Sequence, residues 1–212
     1  MILYNFSLAP NGQRVTAFLK EKNISIDSQE INVREGEQFK EPFQAMNPFN
    51  CIPFLKLDDG TIISESVSIC KYLEEELHPN PSLFGRTPRE KAYIDMWNRR
   101  LELDALSPLG YAVRNKVAFF ADRVLAGTRN DIKQSQDIVE RGKQMADLLF
   151  KRINPHLEKN KFICGENFSI ADITGHSIFV TCERLKFEIS ENFQNVLKWK
   201  STLEKRECFK NE

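Results

Sequence analysis

The stretch that decides the fold is CIPFLKLDDGTIISES, residues 51–66. It holds two apolar and β-branched runs, residues 51–57 and 61–63, which are joined by Asp58-Asp59-Gly60. An Asp-Gly pair between two such runs is a strong signal for a β-hairpin. From Ser66 onward, apolar side chains recur on one helical face, at Ile69, Cys70, Leu73 and Leu77. The stretch therefore predicts an antiparallel hairpin that leads directly into a helix.

The chain before this hairpin predicts a strand, a turn, a helix and a second strand. Residues 1–6 are β-prone, Pro10-Asn11-Gly12 is a turn cluster, and apolar residues then recur at helical spacing. A second β-prone segment spans residues 24–33. The order strand, helix, strand, hairpin, helix predicts a mixed sheet, because a crossover unit is combined with an antiparallel addition.

The chain after about residue 85 is predicted to be helical throughout. Four long periodic segments cover residues 88–120, 131–154, 169–183 and 193–205. Before them, His78-Pro79-Asn80-Pro81 ends the last helix of the first part, and residues 79–88 form a linker. The prediction is an α/β domain at residues 1–80 followed by an all-α domain at residues 86–212.

Composition excludes several classes of function. The 212 residues carry 30 Lys and Arg against 30 Asp and Glu, so no net charge attracts the chain to nucleic acid or to an anionic membrane. No apolar run is long enough to span a bilayer, and residues 1–6 lack the features of a signal peptide. We therefore expect a cytoplasmic protein that binds neither nucleic acid nor membrane.

The cysteines and histidines do not form a local metal motif. Five cysteines and three histidines are scattered along the chain without a C-x-x-C pair or another ligand spacing. The patterns of phosphate-binding loops, serine hydrolases and zinc proteases are absent as well. We expect no metal site, and we expect most of the cysteines to be buried as small apolar side chains.

Two helix starts are candidate binding sites. The first turn of a helix presents free N–H groups and the positive end of the dipole, so Asn11 and Gly12 stand where an anion would be held. The alternative is that Asn11 merely caps its helix. At the second start, the Glu65 carboxylate, the Ser66 hydroxyl and free N–H groups can bind both ends of an amino acid. The alternative is that Ser66 is an N-cap and Glu65 a solvated charge.

A third helix start, at residues 168–172, predicts a purely structural feature. Ser169 and Asp172 have the spacing of a capping box, in which each side chain accepts a hydrogen bond from the backbone of the other residue. No reactive group is presented there.

Taken together and in this order, four features resemble the glutathione transferase superfamily: the loop after the first strand, Ile52-Pro53, Glu65-Ser66 and the capping box at residues 168–172. The resemblance covers essentially the whole chain. It implies a thioredoxin-like domain at residues 1–80 that binds glutathione, and an all-helical domain at residues 86–212 that carries the electrophile site. It also implies that Ile52 precedes a cis-proline, Pro53, and pairs with the cysteinyl part of glutathione, while Glu65 and Ser66 hold the γ-glutamyl end.

The motif Ala9-Pro10-Asn11-Gly12, together with residues 35–39, is similar to the bacterial Nu-class and fungal Ure2-like branch of that family. In this branch an Asn takes the place of the Tyr, Ser or Cys used elsewhere. The resemblance implies that Asn11 is the first candidate for the catalytic residue and Ser7 the second, because Ala9 offers neither hydroxyl nor thiol. By the same matching, Gln38 contacts the glycyl end of glutathione.

The function that the resemblance implies is a homodimeric glutathione transferase that stabilises the glutathione thiolate for attack on a small apolar electrophile. Glutathione is then a co-substrate, and no covalently bound cofactor is expected. Reduction of disulfides by glutathione is the alternative, since the protein has no C-x-x-C of its own. A glutathione-binding protein without turnover is a third hypothesis.

Overall fold

The computed structural model describes residues 1–78 and 80–210. The chain forms two compact units. The first comprises Met1–Pro81 together with Ala126–Thr128, and the second comprises Ser82–Leu125 together with Arg129–Glu212. Pro79, one of the residues predicted to end a helix, lies outside the described residues.

The first unit is built on a four-stranded mixed sheet in the order β2-β1-β3-β4. Strand β1 pairs in parallel with β2 and antiparallel with β3, and β3 pairs antiparallel with β4. The predicted mixed sheet and hairpin are thus confirmed. The strands are β1 (Ile2–Asn5), β2 (Asp27–Glu30), β3 (Phe54–Lys56) and β4 (Ile62–Ser64).

The second strand is shorter than residues 24–33, the segment predicted for it. The chain turns directly after β2, because the N–H of Val33 bonds to the carbonyl of Ile31 at 2.9 Å. A 3₁₀ turn follows at Val33–Glu35, where Asn32 accepts a hydrogen bond from the N–H of Glu35. β-propensity alone does not detect such a turn, because Ile31 and Val33 are both β-branched.

Helices α1 (Pro10–Lys22) and α3 (Ser66–Leu77) run parallel to each other, and a short helix α2 (Phe43–Met46) lies between them in the chain. Arg14 Nη1 donates to Ser66 Oγ at 3.0 Å, and Lys22 Nζ lies 3.5 Å from Glu74 Oε2. The second contact is about two turns beyond the first on both helices. The N-termini of α1 and α3 therefore lie at the same end of the pair.

Strand β1 is buried on both faces. Successive side chains of a strand point to opposite faces, and Leu3 and Tyr4 are only 1% and 7% exposed. Tyr4 stacks on Phe54 at a centroid distance of 4.7 Å and meets Phe43 edge to face at 5.8 Å. This core fixes the register of β1 against β3.

The second unit is helical, as predicted. Its helices are α4 (Pro88–Leu101), α5 (Ser107–Lys116), α6 (Gln136–Glu158), α7 (Ile170–Leu185) and α8 (Gln194–Glu204). The segment predicted at 88–120 is divided, because a π-helical turn at Glu102–Leu106 separates α4 from α5. The segment predicted to end at residue 154 continues through Pro155 to Glu158. Among the described residues, no helix has the length and the apolar character needed to cross a bilayer.

Both α4 and α7 begin with a capping box. Thr87 accepts a hydrogen bond from the N–H of Glu90 at 3.2 Å, and Glu90 accepts one from the N–H of Thr87 at 3.1 Å. The box predicted at Ser169 and Asp172 is present.

The side chain of Asp172 is fully buried and is surrounded by donors. It accepts hydrogen bonds from the N–H of Ile163 at 2.9 Å and from the N–H and the hydroxyl of Ser169 at 2.9 Å each. The indole N–H of Trp199 completes the set at 3.0 Å. This carboxylate therefore connects the start of α7 to the preceding loop and to α8.

Candidate active site

Several of the predicted site residues lie at one edge of the sheet of the first unit. Tyr4 is paired with Phe54, and Phe54 is paired with Ser64. The loop after β1, the residues before β3 and the residues after β4 therefore lie at the same edge. Ser7, Ile52-Pro53 and Glu65-Ser66 are in these three segments. The register of the sheet thus brings together motifs that are far apart in sequence.

Helix α1 begins at this edge without a side-chain cap. Its N-cap is Ala9, which has an extended backbone (φ −83°, ψ 142°), and Pro10 is the first helical residue. The alternative that Asn11 caps this helix is wrong, because Asn11 is the second residue inside the helix and an N-cap needs a non-helical backbone. The N–H groups of Asn11 and Gly12 precede the first hydrogen bond of the helix, which runs from Gln13 to Ala9 at 2.8 Å.

The start of α1 is pressed against the end of β1. A Cβ atom placed on Gly12 would lie 2.2 Å from the carbonyl oxygen of Phe6 and 2.5 Å from Asn5 Oδ1. No side chain fits at this position, so glycine is required. The close contact fixes the direction in which the first turn of α1 faces the loop at residues 6–9.

Helix α3 also begins without a side-chain cap. Its N-cap is Glu65, and the alternative that Ser66 holds this position is wrong, since Ser66 is the first helical residue. Glu65 has φ 70° and ψ 120°, a conformation that costs a residue with a side chain about 1 to 3 kcal/mol. The Glu65 side chain is exposed, whereas Ser66 is 3% exposed. Strain of this kind is typical of functional sites.

The two open helix starts leave backbone N–H groups without partners inside their helices. In α3 the first helical hydrogen bond runs from Ile69 to Glu65 at 3.0 Å, so the N–H groups of residues 66–68 have no carbonyl one turn back. Because α1 and α3 are parallel, the positive ends of both dipoles lie at the same edge. Such helix starts bind carboxylates and other anions.

Ser7 and Asn11, the two candidates for the catalytic residue, differ in their hydrogen bonds. Both the N–H and the hydroxyl of Ser7 donate to Glu30 Oε1 at 2.9 Å. The side chain of Asn11 is exposed and has no hydrogen-bond partner within residues 1–78 and 80–210. The Ser7 proton is thus already engaged with a carboxylate, while the Asn11 amide is free to meet a ligand.

Gln38, Ile52 and Pro53 have less exposed positions. Gln38 lies in a 3₁₀ turn at Glu37–Phe39, is 7% exposed, and its Oε1 has no partner among the residues that the structure describes. Ile52 and Pro53 are joined by a cis peptide bond directly before β3. Ile52 is half-buried and Pro53 is buried.

Comparison with known proteins identifies the family. A model of the glutathione S-transferase N-terminal domain matches residues 3–82, and a model of the C-terminal domain matches residues 117–207. Glutathione S-transferase 2 of Saccharomyces cerevisiae is 31% identical over 99% of this chain and 88% of its own length. The chain belongs to the glutathione S-transferase family. The predicted class of enzyme, a glutathione transferase, is thereby confirmed.

Solved structures of this family have the same fold. Gtt2 from Saccharomyces cerevisiae superposes with a TM-score of 0.88 at 29% identity, over 99% of this chain and 98% of its own. A glutathione S-transferase domain-containing protein from Marinobacter aquaeolei gives a TM-score of 0.90 at 29% identity, over 99% and 100% of the chains. The predicted thioredoxin-like and all-helical architecture is confirmed. The yeast relative is consistent with the predicted Nu-class and fungal Ure2-like branch.

Most thiols of this glutathione S-transferase are buried and are therefore poor nucleophiles. Burial raises the pKa of Cys70 above its usual range and raises that of Cys164 and of Cys182 to about 12. Cys208 is buried as well, and Cys51 is half-buried. No group of three potential metal ligands lies close together among the described residues.

Two residues at the site were not found by sequence reasoning. Glu30 receives both hydrogen bonds of Ser7, and Arg14 donates to Ser66 from the neighbouring helix. Neither residue has a local signal, because their partners are 23 and 52 residues away in the sequence.

Proposed function

We propose that this glutathione S-transferase binds glutathione at the shared N-terminal end of α1 and α3, and that Asn11 stabilises the thiolate for attack on a small apolar electrophile. One observation carries the choice of Asn11. Its amide has no partner within residues 1–78 and 80–210 and stands in the first turn of an uncapped helix, whereas the Ser7 hydroxyl donates to Glu30.

A hydrogen bond and a helix dipole supply enough free energy to ionise the glutathione thiol without a general base. Lowering a thiol pKa by about two units requires about 2.7 kcal/mol of preference for the anion. A hydrogen bond to a charged group supplies about 1.5 to 3 kcal/mol, and a helix N-terminus adds about 0.3 to 1 kcal/mol. The thiol proton passes to water, and the thiolate forms a bond to the electrophilic carbon while a leaving group such as chloride departs with its electron pair.

The remaining contacts are proposed for the rest of the tripeptide. Glu65 accepts from the ammonium of the γ-glutamyl end, and the Ser66 hydroxyl and N–H groups of α3 donate to its carboxylate. The backbone of Ile52, next to Pro53, pairs with the cysteinyl part. The amide of Gln38, whose oxygen has no partner among the described residues, binds the glycyl end.

The two domains have separate roles in this proposal. Residues 1–80 bind glutathione, and residues 86–212 carry the electrophile site. The resemblance to the family further suggests a cytoplasmic homodimer that needs no covalently bound cofactor. Sedimentation equilibrium tests the dimer, and a monomer at all concentrations would contradict it.

Reduction of disulfides is the second candidate. The raised pKa values of Cys70, Cys164 and Cys182 favour glutathione as the source of the attacking thiolate. Attack on a mixed disulfide with glutathione would form oxidised glutathione and release the other thiolate.

Two assays on the same preparation separate these functions. Turnover of chlorodinitrobenzene with glutathione supports the transferase, whereas faster turnover of a mixed disulfide supports the reductase. Tight binding of glutathione with neither activity would indicate a glutathione-binding protein without turnover, and would contradict the proposal.

A further inference from the structure

The first unit contains a cavity of about 480 Å³ that the proposed glutathione site does not use. It is lined by Tyr4 of β1, by Gln29 of β2 and by side chains from residues 35–46, and we call it the α2 cavity. No residue of the proposed glutathione site lines it. Its volume is in the range of small-molecule sites in proteins. The α2 cavity is therefore large enough for a ligand of its own.

The register of the sheet forms the floor of the α2 cavity. Tyr4 is paired with Gln29 on one side and with Phe54 on the other, so the three side chains point to the same face of the sheet. Helix α2 packs on this face, where the Phe43 ring meets the Tyr4 ring edge to face at 5.8 Å. Phe43 and Met46, both in α2, also line the cavity. The floor is thus largely apolar and aromatic.

The hydroxyl of Tyr4 is a buried polar group in this floor. Tyr4 is 7% exposed, and its ring stacks on Phe54 at a centroid distance of 4.7 Å. The hydroxyl at the end of the ring faces the cavity and has no hydrogen-bond partner within residues 1–78 and 80–210. A buried tyrosine hydroxyl normally has such a partner. A ligand in the cavity would supply it.

The rim of the α2 cavity is acidic. Glu35, Glu37 and Glu41 line it together with one cation, Lys40, which leaves an excess of two negative charges. The Glu37 carboxylate accepts a hydrogen bond from the N–H of Asn32 at 2.6 Å. The carboxylates of Glu35 and Glu41 are exposed and have neither an ion pair nor a hydrogen bond among the described residues. Because the whole chain has no net charge, this local excess favours a cation.

We infer that the α2 cavity binds a small hydroxylated amine, in which an apolar body separates an ammonium group from a hydroxyl. The ammonium donates to the carboxylates of Glu35 and Glu41, and such charge-assisted hydrogen bonds are stronger than neutral ones. The body packs on Phe43 and Met46, and the ligand hydroxyl bonds to the hydroxyl of Tyr4. This inference goes beyond the proposed glutathione function and does not depend on it.

Titration calorimetry of the full chain with tyramine, a phenol on a short chain that ends in an ammonium, tests the inference. A dissociation constant below about 1 mM is expected. Phenethylamine, which lacks the hydroxyl, is expected to bind about 2- to 10-fold more weakly, the effect of one hydrogen bond. Tyrosol, in which a hydroxyl replaces the ammonium, is expected to bind at least about tenfold more weakly. Added salt should weaken tyramine binding, because exposed carboxylates are screened.

Tyr4→Phe tests the floor, since it removes the hydroxyl and keeps the ring. Binding of tyramine is expected to weaken about 2- to 10-fold, while binding of phenethylamine stays within about twofold. A change of packing alone would weaken both. Tyr93→Phe is the matched control, because it removes the hydroxyl of an exposed tyrosine of the second unit. It should change neither affinity.

Glu35→Gln combined with Glu41→Gln tests the rim. This variant is expected to weaken binding of tyramine and of phenethylamine about tenfold each and to leave binding of tyrosol within about twofold. The matched control is Glu75→Gln combined with Glu76→Gln, which removes the same charge from two exposed positions of α3. Its affinity for tyramine should stay within about twofold.

Several outcomes would overturn the inference. These are absence of tyramine binding at millimolar concentration, equal affinity for tyramine and tyrosol, and unchanged affinity in the Glu35 and Glu41 variant. Displacement of tyramine by S-methylglutathione would place the amine in the proposed glutathione site and would overturn the assignment to the α2 cavity. If Tyr4→Phe does not fold, the rim variant and the comparison of tyramine with phenethylamine decide. Loss of glutathione binding or turnover alone would contradict the proposed function and leave the amine site intact.

Discussion

Helices α4 and α7 of the second unit begin differently from α1 and α3 of the first unit. In the second unit, α4 and α7 are closed by capping boxes, in which Thr87 with Glu90 and Ser169 with Asp172 bond to the first backbone N–H groups. In the first unit, α1 and α3 begin at Ala9 and Glu65, and neither side chain caps its helix. Closed starts use their first N–H groups for hydrogen bonds within the protein, whereas the open starts of α1 and α3 leave these groups free for the glutathione binding that we propose.

The largest expected effect is at the buried box. Asp172→Ala is expected to lower the free energy of unfolding by about 3 to 5 kcal/mol, because four buried donors lose their acceptor. Urea unfolding measures this. Glu166→Ala is the matched control, since it removes an exposed carboxylate from the same loop and is expected to change stability by less than about 0.5 kcal/mol. A loss below 1 kcal/mol for Asp172→Ala would show that the closed start is not a stability element.

At the open start of α1 the effect should appear in chemistry and not in stability. Asn11→Ala is expected to raise the pKa of the bound glutathione thiol by about 1 to 2 units and to slow turnover about 10- to 100-fold below that pKa. Thiolate absorbance against pH and the pH dependence of kcat measure these changes.

Ser7→Ala is the control for Asn11→Ala. Because the Ser7 hydroxyl donates to Glu30, its removal is expected to change turnover by less than about threefold, or roughly 0.6 kcal/mol. If Asn11→Ala left both the titration and the rate unchanged while Ser7→Ala abolished them, the assignment to Asn11 would be wrong.

The open start of α3 should show a trade between stability and binding. Glu65→Gly is expected to raise the free energy of unfolding by about 1 kcal/mol, because glycine adopts φ 70° without strain. The same change removes the carboxylate and is expected to weaken glutathione binding about tenfold. Glu65→Ala should weaken binding equally without the gain in stability. Equal stability of the two variants would mean that the strain at Glu65 is negligible.

The smallest expected effect is at the exposed box. Thr87→Ala is expected to lower the free energy of unfolding by about 0.5 to 1 kcal/mol, which is the lower part of the usual range for the loss of an N-cap. Thr87→Ser keeps the hydroxyl and should be neutral. Affinity for glutathione is expected to be the same in both variants. A changed affinity in Thr87→Ala alone would contradict the view that this closed start acts on stability and not on binding.

The fold was predictable to the extent that its signals are local. The Asp-Gly hairpin and the helical periodicities depend on neighbouring residues, and both are present in the structure. The residues at which helices begin and end were less predictable. The helical segment predicted to end at residue 154 continues through Pro155 to Glu158, because the packing of a long amphipathic helix outweighs the one hydrogen bond that proline removes.

The candidate site was predictable in its residues but not in its arrangement. Asn11 and Ser66 have side chains suited to N-caps, but the cap is defined by backbone conformation, and that places it at Ala9 and Glu65. The bonds from Ser7 to Glu30 and from Arg14 to Ser66 depend on the sheet register and on helix packing. Neither is visible in a short window of sequence.

Gly127 belongs to the first unit, although the chain reaches it only after α5. Its carbonyl accepts a hydrogen bond from Asn50 Nδ2 at 3.1 Å, and a Cβ atom on it would lie 1.9 Å from the carbonyl of Phe49. A fragment cut at residue 81 therefore lacks one of its own packing elements. Chimaeras that exchange halves between relatives must transfer residues 126–128 with the first half, and must keep glycine at position 127.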